Sequence, residues 1–525
     1  MGQGVSGFQS GGSGIQNGQA GTATELHGRT IDAVTGLPIA RVLVQTDSAA
    51  MLSDHDGGFV LAADGTGPIR LRARKPGYSV GPEQMEGDMI LLPAGATTAE
   101  VRLFPEAIVS GVVSDPEGQP VQRVPVHVYR SLFDERGHSW VDAGQSQTDI
   151  HGEFRMAVPA GTYRVGTEFM PRVGGRPEAL LPVVFPGQSS SDGSAFLRLG
   201  SGQEQRLDLH PAMRGTDGQK LTVAGMGGSF FPQITASLAN GTAFGLRTRP
   251  TPEAGVFLVD LPAGSYVLRS ASRTRDSAMT AEARVTVPST DASPATLSFV
   301  SSAQIPVEVA IDPAAAVEAS GTSGVPANVT AQQLNLTLWR VDNGLPAGGE
   351  RGGGGDGEVR VTNEGGGGGV FVAPPGVYRL RSGPGSGWYV ESATIGGSDL
   401  MSHDLTIGAA AATAPIRLIV GRASGLVRGQ IRSSDPVADR PVYLIASQPS
   451  LHPLTALASS ADGTFTASLP PGSYRVVAFE HRHSLDLESE AVLDSFKGRV
   501  GSFTIQAGET STIDLTPVLD AEVHP

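Results

Sequence analysis

The chain has no cysteine, 6% aromatic residues and, among 38 cationic side chains, only the lysines Lys75, Lys220 and Lys497. Without cysteine there is no disulfide framework, no thiolate nucleophile and no Cys-ligated zinc. The formal charge of −14 and the scatter of the arginines exclude nucleic acid as a partner, because phosphate binding needs clustered cations that displace counterions. The most apolar stretch, Ile407 to Val420, is broken by Pro415 and Arg417, so nothing approaches the roughly 18 uninterrupted residues of a membrane span. Residues 1–23 carry no charge and no apolar segment. They do not read as a signal peptide, and we expect a flexible leader or a start whose export signal lies upstream.

What the chain has in quantity is glycine, 70 residues, and proline, 37, the composition of many short strands joined by tight turns. These residues fall into a phrase that returns five times: a glycine, a Phe, a short apolar run, then Pro-x-Gly-x-Tyr. The copies centre on Phe154 with Tyr163, Phe257 with Tyr266, Phe371 with Tyr378 and Phe465 with Tyr474. A worn first copy has Phe59, and Ile69 where Tyr is expected. The step from Phe to Phe is roughly 95 to 115 residues, the size of an independent domain and too long for a solenoid repeat.

Each repeat opens with an alternating strand and a turn, as in Ile108 to Val113 followed by Asp115-Pro116-Glu117-Gly118. Val124, Val126 and Val128 then alternate with Pro125 and His127, which predicts one buried and one wet face. The Phe-to-Tyr phrase reads as a hairpin, and a further strand pair around a turn closes each repeat. About seven short strands per 100 residues is the signature of a Greek-key sandwich. The expected fold is therefore all-β, a tandem array of about five antiparallel Greek-key β-sandwiches over 24–105, 106–212, 213–302 (divergent), 303–422 and 423–525, with few contacts across the short linkers. The nine aromatics of the phrase are its structural core. A glycine-rich insertion, 351–369, reads as a loop within the fourth sandwich, and Glu488 to Phe496 as a short helix.

Residues that could carry chemistry are sparse. There is no Gly-x-Ser-x-Gly, His-Glu-x-x-His, His-x-x-Glu or phosphate loop, and no catalytic residue, cofactor or metal is expected. His481 and His483, two apart and so on one strand face, are the best candidates for metal ligands, with a third from Glu480, Asp486 or Glu488. Solvated surface is the simpler account of the pair. Asp54-His55-Asp56-Gly57 lacks the acidic positions of a calcium loop and reads as a hairpin turn. Trp388 and Tyr389 are the candidates for a sugar-stacking platform, although neighbours on a strand point to opposite faces and only one can be presented.

The repeats resemble carboxypeptidase regulatory-like domains, transthyretin-like sandwiches that share a carbohydrate-binding-like fold. The resemblance rests on Gly111-Val112-Val113-Ser114-Asp115 to Pro120-Val121, on Asp149-Ile150-His151-Gly152-Glu153-Phe154, and on the Pro-x-Gly-x-Tyr-x-Val text. The ordered run from Trp388 through Val427-Arg428-Gly429 to Tyr474-Arg475-Val476 is similar to large, usually exported bacterial multi-domain proteins of this type. It implies a non-catalytic structural or interaction protein that is periplasmic, on the cell surface or secreted, with another envelope protein as partner. An array of carbohydrate-binding modules with a glycan ligand is the alternative.

Related collagen-adhesin domains carry Lys-to-Asn isopeptide staples, but 106–212 and 303–422 contain no lysine at all. Mass spectrometry of the intact chain is expected to return the sequence mass. A deficit of one or more ammonia molecules would show that the staples form.

Overall fold

Alternating burial builds the strand that opens each repeat. Ala107–Val113 is the clearest case, with Ala107, Val109, Gly111 and Val113 turned inward and the residues between them half-buried. In the computed structural model this pattern recurs throughout. The structure describes residues 23–523 apart from 65–66, 82–88, 93–94, 135–136, 172–177, 186–196, 226–231, 239–242, 274–277, 288–294, 314–328, 342–357, 364–367, 384–386, 409–413, 423, 434–439 and 461. The expected leader, apart from Ala23, and most of the glycine-rich insertion lie outside the described residues.

The chain divides into two compact units, Met1–Pro105 and Glu106–Pro525. In the first, Ala23–Asp32 lies between Gly58–Asp64 and Thr98–Pro105, and the facing sheet runs Ala50–Leu52, Leu43–Gln45, Ile69–Arg74, Met89–Leu92. Leu26, Val42, Phe59, Leu71, Val101 and Leu103 fill the space between them. The second unit repeats this construction four times, on the opening strands Ala107–Val113, Met213–Ala224, Ala303–Ile311 and Gly425–Ile431. The fold is thus the expected series of β-sandwiches. Their ladders are antiparallel except that each opening strand also pairs in parallel with the strand that closes its repeat.

The structure corrects the hairpin expected at the Phe-to-Tyr phrase. The Phe strand Glu153–Val158 pairs with Ala107–Val113, whereas the Tyr strand Gly161–Thr167 pairs with Pro125–Asp134 in the opposite sheet. The same division holds in every repeat. Pro-x-Gly is therefore a corner that carries the chain from one sheet to the other. The closing strands are divided likewise: Leu197–Leu199 joins the Tyr strand, and Glu204–Leu209 joins the opening strand.

Tyrosine braces this corner. Its hydroxyl donates to the carbonyl of the proline four residues back, at 2.6 Å in Tyr163 to Pro159, 3.0 Å in Tyr266 to Pro262, and 2.9 Å in both Tyr378 to Pro374 and Tyr474 to Pro470. To reach back, the ring passes over the intervening glycine. A Cβ on Gly161, Gly264 or Gly376 would come within 3.1–3.3 Å of that ring. The phenyl ring has a glycine beneath it too. Phe59, Phe154 and Phe465 lie opposite Gly28, Gly111 and Gly429 on the opening strand, and a Cβ on Gly429 would sit 1.9 Å from the Phe465 ring. In the third and fourth repeats Leu221 and Ile305 take that place opposite Phe257 and Phe371. All nine repeat aromatics are buried.

Two further expectations change. Between the two glycine runs, Glu358–Arg360 and Thr362–Asn363 form short strands rather than loop, because Val359 and Val361 enter the core of the fourth sandwich. Contacts between repeats of the second unit are also more than linkers. Glu178–Leu180, from within 106–212, pairs with Met213–Ala224 and hands Leu181 to the next core, where Phe169 stacks on Phe244 at 4.3 Å. Phe133 packs with Ile445, Val477, Phe479, Leu493 and Phe496, so the second and fifth repeats share a core. The helix Glu490–Ser495 supplies Leu493 to it. Domain boundaries near 212, 302 and 422 remain our proposal.

Gly429→Ala is expected to destabilise the fifth repeat by about 1–3 kcal/mol, since the new methyl must displace the Phe465 ring. Phe465→Ala alone is expected to cost about 3–5 kcal/mol, and the double variant clearly less than the sum. Hydrogen exchange resolved by segment measures all three. Additive losses would mean that the ring and the glycine do not depend on each other.

Candidate functional site

His481 and His483 follow the strand Gly472–Ala478 and lie beyond its end, not on a strand face. Both imidazoles turn to one carboxylate that no sequence signal marked, that of Asp520, 39 residues from His481. His481 Nδ1 is 2.6 Å from Asp520 Oδ2 and His483 Nε2 is 3.2 Å from Oδ1. His483 has 1% of its side chain exposed and His481 37%, so the pair is not solvated surface. Glu480 joins them. Its carboxylate accepts from the Asp520 backbone N–H at 3.3 Å and stands 3.8 Å from Arg440 Nη1. Asp486 and Glu488 are engaged elsewhere, the first capping its own turn through the Glu488 N–H and the second bonded to Arg381 at 2.9 and 3.2 Å. Burial pushes the Asp520 carboxyl upward, but hydrogen bonds from His481 and His483 outweigh it and hold the group well below the usual carboxylate range. Among the described residues, Glu480, His481 and Asp520 are the side chains placed to share a metal ion.

Trp388 packs against the core of the fourth repeat, and the Arg422 guanidinium lies 5.7 Å from its ring centroid. That cation covers a face on which a sugar would stack. Tyr389 is half-buried and lies opposite Gly421, where a Cβ would come within 2.7 Å of its ring. Neither ring is laid open as a platform. Asp54 Oδ1 accepts from the N–H groups of Asp56 and Gly58 at 3.0 and 2.7 Å, which makes it the cap of a turn.

A second titratable cluster escaped the sequence altogether. His127, expected on the wet face, is fully buried, with Nδ1 2.7 Å from Asp142 and Nε2 2.6 Å from Glu168. Tyr129 stacks on it at 5.7 Å, and Arg164 on the neighbouring strand lies 4.7 Å over the Trp140 ring. Strand alternation points these residues away from their own core. It cannot say whether something covers them. Carboxylates at both nitrogens favour the doubly donating cation, the form in which the imidazole has no lone pair to act as a base.

A cleft between the fourth and fifth repeats is lined by Arg379, Arg381, His403 and Gln448. Its guanidinium groups are already bonded, Arg379 to Asp404 at 2.6 and 3.1 Å and Arg381 to Glu488. No helix among the described residues is long and apolar enough to cross a membrane.

Neither a protein-family model nor a curated protein matches the chain. The likeness to carboxypeptidase regulatory-like domains therefore rests on the repeat text. Solved structures that align with the chain include the shaft pilin SpaA of Lactobacillus rhamnosus GG, at 13% identity and a TM-score of 0.20, covering 37% of this chain and 99% of that one. The minor pilin GBS52 of Streptococcus agalactiae aligns at 12% identity and a TM-score of 0.20, over 37% and 98%. The TIE protein of Bacillus anthracis aligns at 9% identity and a TM-score of 0.16, over 95% and 68%. Likeness at this level carries no argument about function.

For His127, burial lowers the pKa but the hydrogen bonds to Glu168 and Asp142 raise it further, leaving it above the ordinary 6.5. A raised folded-state pKa gives stability that is complete below the unfolded value and is lost as pH rises through the folded one. The urea midpoint of the second unit is therefore expected to fall as pH rises above the ordinary histidine value of 6.5, and His127→Gln to flatten that fall. An identical pH dependence in the variant would show that the cluster does not titrate in this window.

Proposed function

We propose that the chain is a non-catalytic structural and interaction protein of the bacterial envelope, periplasmic, on the cell surface or secreted. Its sandwiches serve as a spacer and a surface for another envelope protein. The observation that carries this reading is the state of the polar groups that could do chemistry. His127 is bonded at both nitrogens, Arg379 and Arg381 at their guanidinium groups, and Asp54 at its turn. Side chains used up in this way hold sheets and turns together and are not themselves poised as nucleophile or general base. The repeat aromatics support it as well, because every one is spent on a core or a corner.

Sheet edges supply the binding capacity. An exposed edge strand offers unpaired N–H and C=O groups to an extended partner segment, and the edge Ala50–Leu52 carries Leu52, half exposed, beside the exposed Leu43.

Calorimetry against starch, cellulose and peptidoglycan fragments tests the reading against its glycan rival. We expect binding absent or weaker than about 1 mM. Binding tighter than about 100 μM that disappears in Trp388→Ala would replace the spacer by a carbohydrate-binding array.

A further inference from the structure

We propose that Glu480, His481 and Asp520 bind a divalent transition-metal ion, zinc by the character of the donor set, with His483 as the positioning residue for Asp520. One ligand atom from each of the three lies within 4.8 Å of the others. An imidazole nitrogen with two carboxylate oxygens suits zinc and its neighbours, whereas calcium and magnesium prefer oxygen alone.

The geometry needs little adjustment. Zinc holds nitrogen and oxygen ligands at about 2.0–2.2 Å, which spaces ligand atoms roughly 3.3 Å apart in a tetrahedron. The 2.6 Å contact between His481 Nδ1 and Asp520 Oδ2 must lengthen, and the side chain that has to move, His481, is the one with 37% exposure. The same exposure leaves room for water at a fourth position. His483, buried and bonded to the other oxygen of Asp520, keeps that carboxylate aimed at the site, as hydrogen bonds to ligating groups do in metal sites generally. Arg440 Nη1 donates to the Glu480 backbone carbonyl at 2.6 Å and stands 3.8 Å from its carboxylate.

The metal takes the lone pair of the neutral His481 imidazole at Nδ1, whose hydrogen then sits on Nε2. It also joins two separate parts of the chain. Glu480 and His481 follow the strand Gly472–Ala478, while Asp520 begins the helix Asp520–Val523. Without metal the closing segment is held there by backbone bonds of Glu480 N–H to Val518 and Val518 N–H to Ala478, at 2.9 and 2.8 Å. A metal would clamp it, without being required for the sandwich to fold.

The test is titration calorimetry of the full chain with Zn2+ in excess Mg2+ near neutral pH. We expect one site per chain with a dissociation constant of about micromolar order, and at least tenfold weaker binding in both Asp520→Asn and His481→Gln. His483→Gln is expected to weaken binding while leaving the stoichiometry unchanged. Absence of binding to the native chain, or binding equally strong in the two ligand variants, overturns the proposal. Should Asp520→Asn fail to fold by circular dichroism, the partly exposed His481→Gln decides the outcome alone.

Discussion

One hydrogen bond braces the sandwich corner in four of the five repeats. In each of four repeats the chain leaves one sheet at a proline and enters the other two residues on, across the roughly 10 Å that separates packed sheets. A backbone carbonyl stranded in such a crossing would cost about as much as an unmade hydrogen bond in an apolar interior. The tyrosine hydroxyl satisfies it, and at Gly161, Gly264 and Gly376 the glycine between them leaves room for the tyrosine side chain. Pro, Gly and Tyr are thus one device. The first repeat, with Ile69 at that place, fills the core without the hydroxyl.

That device explains how a hairpin was read where a corner stands. Period-two alternation in Glu153–Val158 and Gly161–Thr167 tells which side chains face the core. It is silent on which sheet supplies the partner strand, because a strand looks the same from either side of a sandwich. Phe154 and Tyr163 were legible as core residues for this reason, while their opposite sheets were not. The glycines opposite Phe59, Phe154 and Phe465 carry the missing information, since a bare backbone is what a phenyl ring can lie across.

The polar clusters were illegible for a different reason. His127 sits at a position that alternation turns outward, and it is buried only because Asp142, Glu168 and Tyr129 close over it. His481 and His483 were visible as a pair, but Asp520 reaches them through the path of the last segment, which no local pattern specifies. Glu480 was nameable because it is adjacent in sequence. Convergence of distant residues is a property of tertiary packing, and short-range pattern carries almost none of it.

The shared core around Phe479 bears on how the second unit behaves as a whole. A string of sandwiches with contacts only between neighbours has a stability that is nearly the sum of its parts. Here Phe133 of the second repeat is enclosed with Phe479, Leu493 and Phe496 of the fifth, and Arg381 of the fourth pairs with Glu488 beside them. Apolar surface removed from water at such a junction is lost to all participating repeats when any one opens, at about 25 cal/mol for each Å² re-exposed. Glu178–Leu180, embedded in the sheet of the following repeat, adds backbone bonds to the same coupling. Opening of one repeat in this unit therefore costs more than its own core.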